Sequence, residues 1–196
     1  EMAALATCLS SLLLLGGVSL ISPAYRSIQA AESVLRIQNQ ELEGAARAKD
    51  AELDLARQIQ EKLLPSEPPV IDGYDIAAVS ISAETVGGDS FDFRETASGE
   101  LLISVTDVSG HGVGPALQMA QLQTVFRALS TTMNEPAEML GLANRLFHET
   151  SPAGRFATAF LGALNPTTGE FRFAAAGHQA WLLRKDSENV SLGGRS

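Results

Sequence analysis

The chain changes its pattern of apolar and polar positions twice. From Met2 to Ile21 no residue is charged, and a helix of about 20 such residues crosses the roughly 30 Å hydrocarbon layer of a bilayer. A transmembrane helix over residues 1–24 is the expectation. A secretory signal would carry basic residues ahead of the apolar run and would be followed by a mature domain, whereas here a long charged helix follows. Arg26 and Arg36 lie after the span and no Lys or Arg lies before it. That bias places the C-terminal part in the cytoplasm, at the face of an inner or cell membrane.

From about Ser27 to Leu64 the residues are strong helix formers, and Pro65 stops the run. Stepping by sevens gives Ile28, Leu35, Leu42, Lys49, Ala56 and Leu63, with Ala31, Gln38, Ala45, Glu52 and Ile59 between them. The seam is apolar at its ends and polar in its middle. It predicts a signalling helix over residues 25–65 that forms a parallel coiled coil and hence a homodimer; the alternative is an amphipathic helix lying on its own domain. Pro65, Pro68 and Pro69 then mark a boundary.

Beyond it, residues 66–196 read as a separate folded part. Tyr74 to Ile81, Leu101 to Val108, Phe156 to Leu164, Phe171 to Ala176 and Ala180 to Arg184 have the composition of strands, with Asn165-Pro166-Thr167-Thr168-Gly169 as a turn. Two helices interrupt them. One runs from Pro115 to Leu129 with Met119, Leu122, Phe126 and Leu129 on one face; the other runs from Pro136 to Thr150 with Leu140, Ala143 and Phe147. Strands, a helix pair, then strands indicate an α+β sandwich with largely antiparallel sheets.

Composition narrows the function. Of 196 residues, 14 are Lys or Arg and 23 are Asp or Glu, for a net charge of −9. Nucleic acid is excluded as a main partner, because phosphate-backbone binding is driven by basic side chains that release counterions. The lone cysteine, Cys8, excludes an internal disulfide framework and a multi-cysteine zinc site. The first residue is Glu1, and Leu192 to Ser196 complete no element, so the sequence reads as a fragment at both ends.

The segment richest in chemistry is Val86-Gly87-Gly88-Asp89-Ser90-Phe91-Asp92-Phe93, followed after a turn by Thr106-Asp107-Val108-Ser109-Gly110-His111-Gly112. Asp89 and Asp107 are equidistant from Ser98, at the centre of the turn. In an undistorted antiparallel hairpin they face each other directly, with side chains on one face. Two carboxylates about 5 Å apart repel unless a positive charge lies between them. Oxygen-only donors suit a hard cation such as Mg²⁺ or Mn²⁺. Gly87 and Gly88 permit close backbone approach, and Gly110 and Gly112 allow a sharp turn that exposes the carbonyl of Val108. A bulge at Gly87 or Gly88, or a shift of pairing by one residue, would put the acids on opposite faces.

The runs Q-I-Q-E-K-L-L-P (58 to 65), V-G-G-D-S-F-D-F (86 to 93), T-D-V-S-G-H-G-V-G-P-A-L (106 to 117), R-F-A-T-A-F (155 to 160) and A-G-H-Q-A-W-L-L (176 to 183) resemble bacterial SpoIIE/RsbU-type PPM serine phosphatases, relatives of protein phosphatase 2C. The likeness covers about Leu53 to Arg184. It implies an αββα sandwich whose cleft holds two Mn²⁺ or Mg²⁺ ions on acidic residues at strand ends, activating a water that attacks phosphoserine or phosphothreonine. It implies that Asp89 and Asp107 are metal ligands, that Val108 contributes its backbone carbonyl, and that no protein nucleophile is needed. The substrate it implies is a phosphorylated anti-sigma-factor antagonist or similar regulator. The helix before the domain would provide input, and Pro115 to Leu129 and Pro136 to Thr150 would act as a switch.

The chain departs from that family at Ser90, where an aromatic residue is usual, and it ends before the family's late T-D-G or S-D-G motif. Asp186 lies in no such motif. On this reading the polypeptide holds metal poorly and is inactive, unlike its full-length parent. His111 is expected to shape its turn through a hydrogen bond to backbone, His178 to be a structural residue at a strand end, and His148 to lie on a helix face. Asp92 is read as sharing Asp89's face of the strand in a structural or supporting role, and Arg155 as solvated or salt-bridged. Two other functions compete: a non-catalytic signalling scaffold, and a diguanylate cyclase, because Gly87-Gly88-Asp89-Ser90-Phe91 is one residue from that signature. The cyclase requires an upstream metal-binding aspartate in a strand, where this chain has its charged helix.

Overall fold

A computed structural model describes the chain apart from residues 1, 83, 184, 186, 187 and 193–196, and apart from the side chains of residues 2–22 and 24. The chain forms two compact units, Glu1–Ala51 and Glu52–Ser196. The described residues of the first are helical, within a helix α1 at Met2–Leu63 that includes Pro23. Its surface carries i,i+4 pairs between Arg36 and Glu32 (2.7 Å) and between Arg47 and Glu43 (3.3 Å), a pattern that supports an exposed helix by a few tenths of a kcal/mol per pair. Ile28, Leu35 and Leu42 of the heptad seam are exposed. The proposed span, Met2 to Ile21, falls on side chains outside the description. Among the described residues no helix is long and apolar enough to cross a membrane.

The second unit is built on four antiparallel strands: β1 at Asp89–Glu95, β2 at Leu101–Val108, β3 at Ala157–Leu164 and β4 at Phe171–Ala176, in the order β1-β2-β3-β4. Between β2 and β3 come helix α2 at Val113–Ser130 and helix α3 at Pro136–Thr150. Each helix has a proline within its first turn, where the missing N–H costs no bond. Met119, Leu122 and Phe126 of α2 and Met139, Ala143 and Phe147 of α3 pack on Leu102, Val108, Ala159 and Leu161 of the sheet. That is one core between the helix pair and one sheet face. The opposite face carries Phe91, Phe93, Phe160, Phe171 and Phe173, with Phe160 and Phe173 stacked at 5.9 Å between centroids.

Two expected strands are corrected. Tyr74 to Ile81 is not a strand: an isolated bridge joins Ile71 to Tyr74 around Gly73 at φ +81°, and the residues after it lack regular structure. Val79 and Ile81 are exposed, so the apolar positions of this alternation are not buried against the core. Ala180 to Arg184 shrinks to β5 at Trp181–Leu182, paired with β6 at Val190–Ser191. The described residues thus show a helix layer on a four-stranded sheet plus this short pair, which is one half of the expected four-layer sandwich.

One polar network ties the far end of the sheet together. Glu100, at the foot of β2, accepts two bonds from Arg172 of β4 at 2.6 and 2.8 Å and one from Ser98 at 2.9 Å. Arg172 also reaches Glu135 ahead of α3. The Arg172 bonds chiefly, and Ser98 secondarily, hold the Glu100 carboxyl below its ordinary pKa against the opposing effect of burial. A depressed carboxylate stabilises the fold above the ordinary glutamate pKa of about 4.3, and that contribution fades as pH falls through the folded value. Arg172→Ala strands a buried carboxylate and is expected to cost about 2 kcal/mol at pH 7. The loss in urea melts should shrink toward pH 3; a loss of equal size at both pH values would refute the ionic account.

Candidate metal centre

Asp89 is the first residue of β1 and Asp107 the last but one of β2, and they are Cα partners in the ladder. Neither glycine introduces a bulge: the pairing runs unbroken to Glu95 and Leu101, closed by a turn in which Gly99 sits at φ +79°. Both aspartates are exposed at the sheet's end, on one face of the hairpin as direct Cα partners. The protein packed around Asp89, and then the charge of Asp107, raise its pKa above the ordinary value, while His178 pulls the other way. A raised carboxyl pKa favours the fold below the ordinary aspartate pKa of about 3.9 and penalises it as pH rises through the folded value. At neutral pH the pair is therefore an electrostatic liability that a cation would relieve.

The backbone around the pair is tightly built. Val86 is buried, and the Gly88 carbonyl accepts from the Val108 N–H at 3.2 Å. A Cβ on Gly88 would lie 2.4 Å from the Val108 carbonyl oxygen, so only glycine lets that carbonyl lie against the strand entering Asp89. Gly110 and Gly112 take φ of +96° and +82°, and turn the chain from β2 into α2. Two carboxylates and an adjacent carbonyl are hard oxygen donors, which suits Mg²⁺ or Mn²⁺. Among the described residues no group of three or more His, Cys, Asp or Glu side chains gathers.

The remaining candidates fall as follows. His111 pairs through Nδ1 with Glu84 at 2.9 Å, both exposed, rather than with backbone. Arg155 donates to the Ser109 carbonyl at 2.7 Å, and His148 lies in the exposed last turn of α3. Asp92 is corrected: it lies three residues from Asp89, an odd separation, and strand alternation puts it on the opposite face. There it is buried, accepting from Arg127 of α2 at 2.6 Å and Arg94 at 3.2 Å. The alternation rule applied to the sequence would have found this.

Sequence reasoning missed the neighbours on β3. Asp107 pairs with Thr158 across β2 and β3, and the Thr158 hydroxyl bonds His178 Nδ1 at 2.8 Å. A parallel bridge from Ala159 to Gly177 brings His178 there. Asp89, Asp107 and His178 share a cavity of about 360 Å³, and a second hollow of about 460 Å³, lined by Arg57, Gln60, Glu84 and His111, also reaches Asp89.

A family model described as Stage II sporulation protein E (SpoIIE) matches residues 97–194. Phosphoserine phosphatase RsbU of Bacillus subtilis (strain 168) is 28% identical over 153 residues, covering 78% of this chain and 45% of that protein. Phosphoserine phosphatase RsbP of the same organism is 28% identical over 145 residues, covering 72% of this chain and 36% of that protein. The chain thus spans less than half the length of either relative. Among solved structures, the SiaA-PP2C domain of Pseudomonas aeruginosa matches with a TM-score of 0.55 at 24% identity, over 70% of this chain and 57% of that one. This last likeness concerns the fold alone.

Proposed function

Since the chain belongs to the SpoIIE family, we propose that it is part of a metal-dependent phosphoserine or phosphothreonine protein phosphatase acting on a phosphorylated regulator of the anti-sigma-factor-antagonist kind. The observation that carries this reading is the facing pair Asp89 and Asp107 beside the Val108 carbonyl. The two curated relatives are named phosphoserine phosphatases, which supports the substrate class. Asp89 and Asp107 would hold Mn²⁺ or Mg²⁺ through carboxylate oxygens, with the Val108 carbonyl as a further donor. Bound ions supply a water made acidic enough to attack phosphorus near neutral pH, together with compensation of phosphoryl charge. The Thr158 hydroxyl fixes the His178 ring in the cavity that Asp89 and Asp107 share. Other donors must complete each ion's shell, because Mg²⁺ requires about six oxygens.

The N-terminal helix belongs to the same proposal. An uncharged run at Met2 to Ile21 supports attachment to a cell membrane with the phosphatase part in the cytoplasm. The exposed Ile28, Leu35 and Leu42 support a coiled-coil homodimer that controls the enzyme. The test is release of phosphate from a phosphoserine regulator by the intact protein. We expect release with Mn²⁺ and none after chelation. Turnover indifferent to chelator would overturn the metal reading, and cation binding without turnover would favour the scaffold.

A further inference from the structure

Gln60 stands one turn from the end of α1, and its side-chain amide meets both polar groups of one peptide residue. Its Nε2 donates to the Gly87 carbonyl at 2.6 Å, and its Oε1 accepts from the Gly87 N–H at 3.1 Å. The two contacts fix the amide's orientation, since the reverse assignment would set donor against donor and acceptor against acceptor. This two-point pairing is what a neighbouring strand would give. Gly87 needs it, because the β1–β2 ladder begins only at Asp89 and Asp107. Gly87 is also confined by Ser82, whose Oγ would lie 3.1 Å from a Cβ there.

The turn that carries Gln60 is itself anchored. The Leu63 carbonyl accepts from Gln123 Nε2 at 2.7 Å and from Arg127, and Arg127 also grips Asp92 of β1 at 2.6 Å. Asp89 is thus bracketed: Gly87 is held by Gln60, and Asp92 is held by Arg127, the same arginine that holds the end of Gln60's helix.

We propose that Gln60 is a positioning residue for the cation site, setting Asp89 opposite Asp107 by clamping Gly87. The inference rests on the reading that this aspartate pair holds a divalent cation. Residues that orient metal ligands typically change affinity by about 10- to 100-fold when replaced. In the intact protein, Gln60→Leu should weaken Mn²⁺ binding, followed by the EPR signal of free Mn²⁺, by about tenfold. It should also speed hydrogen exchange of the Gly87 amide while amides in β3 stay protected.

Arg172→Ala, destabilised at the far end of the sheet, should bind Mn²⁺ as the parent does. Unchanged affinity in Gln60→Leu, or an equal loss in Arg172→Ala, overturns the proposal. Should Gln60→Leu not fold, Gln60→Glu decides instead: it keeps the acceptor for the Gly87 N–H and loses the donor to the Gly87 carbonyl, so it should bind a few-fold more weakly, and unchanged affinity overturns the proposal. Asp107→Asn separates the two failures, because binding that survives it removes the cation reading itself.

Discussion

Asp107→Asn in the intact protein should lower manganese-dependent phosphoserine hydrolysis by at least about a thousandfold, equivalent to about 4 kcal/mol of lost transition-state stabilisation. The size follows from what the side chain does: asparagine keeps the shape but offers a neutral oxygen where a charged donor faces Asp89. The same substitution should move stability the opposite way. Without metal, replacing one of two repelling carboxylates relieves a cross-strand like-charge pair and should stabilise the fold by about 0.5–1 kcal/mol at pH 7. Thermal melts in chelator and steady-state kinetics in Mn²⁺ check the two halves. A variant that loses activity and stability together would show that Asp107 serves the fold, and the cation reading would fail.

Gly88→Ala is expected to cost about 3 kcal/mol, the upper range for overpacking, because the obstacle is main chain. A Cβ there would meet the Val108 oxygen at 2.4 Å and its carbonyl carbon at 3.2 Å; backbone within a sheet cannot rotate away as a side-chain tip does. Relief requires β1 to part from β2 where Asp89 meets Asp107, so cation affinity should fall with stability. Urea melts and Mn²⁺ titration measure the two losses. Unaltered stability would mean that the close approach of Gly88 to Val108 is absent in solution.

How much of this was legible beforehand depended on the distance over which each feature is determined. The facing aspartates could be read because a short hairpin symmetric about Ser98 leaves little freedom of pairing, and Phe171–Ala176 could be bounded because Asn165 to Gly169 is a strong turn. Pro136 marked the start of α3 in the same local way, whereas α2 begins at Val113, two residues before Pro115. Tyr74 to Ile81 misled because alternation describes a strand's faces and says nothing of whether its backbone pairs with a neighbour. His178 and Gln60 were out of reach for another reason. Their partners, Thr158 and Gly87, are 20 and 27 residues away, and no periodicity encodes such a contact. Asp92 was within reach, since counting alone separates it from Asp89's face.

That odd spacing bears on how the hairpin assembles. A hairpin misaligned by one residue would turn Asp89 toward the face that packs on the helices and would take Asp92 away from Arg127. Each error is penalised through a different element, so the nascent pair has an incentive to unzip and try again. The charge that makes the end of the strand chemically useful also proofreads its alignment.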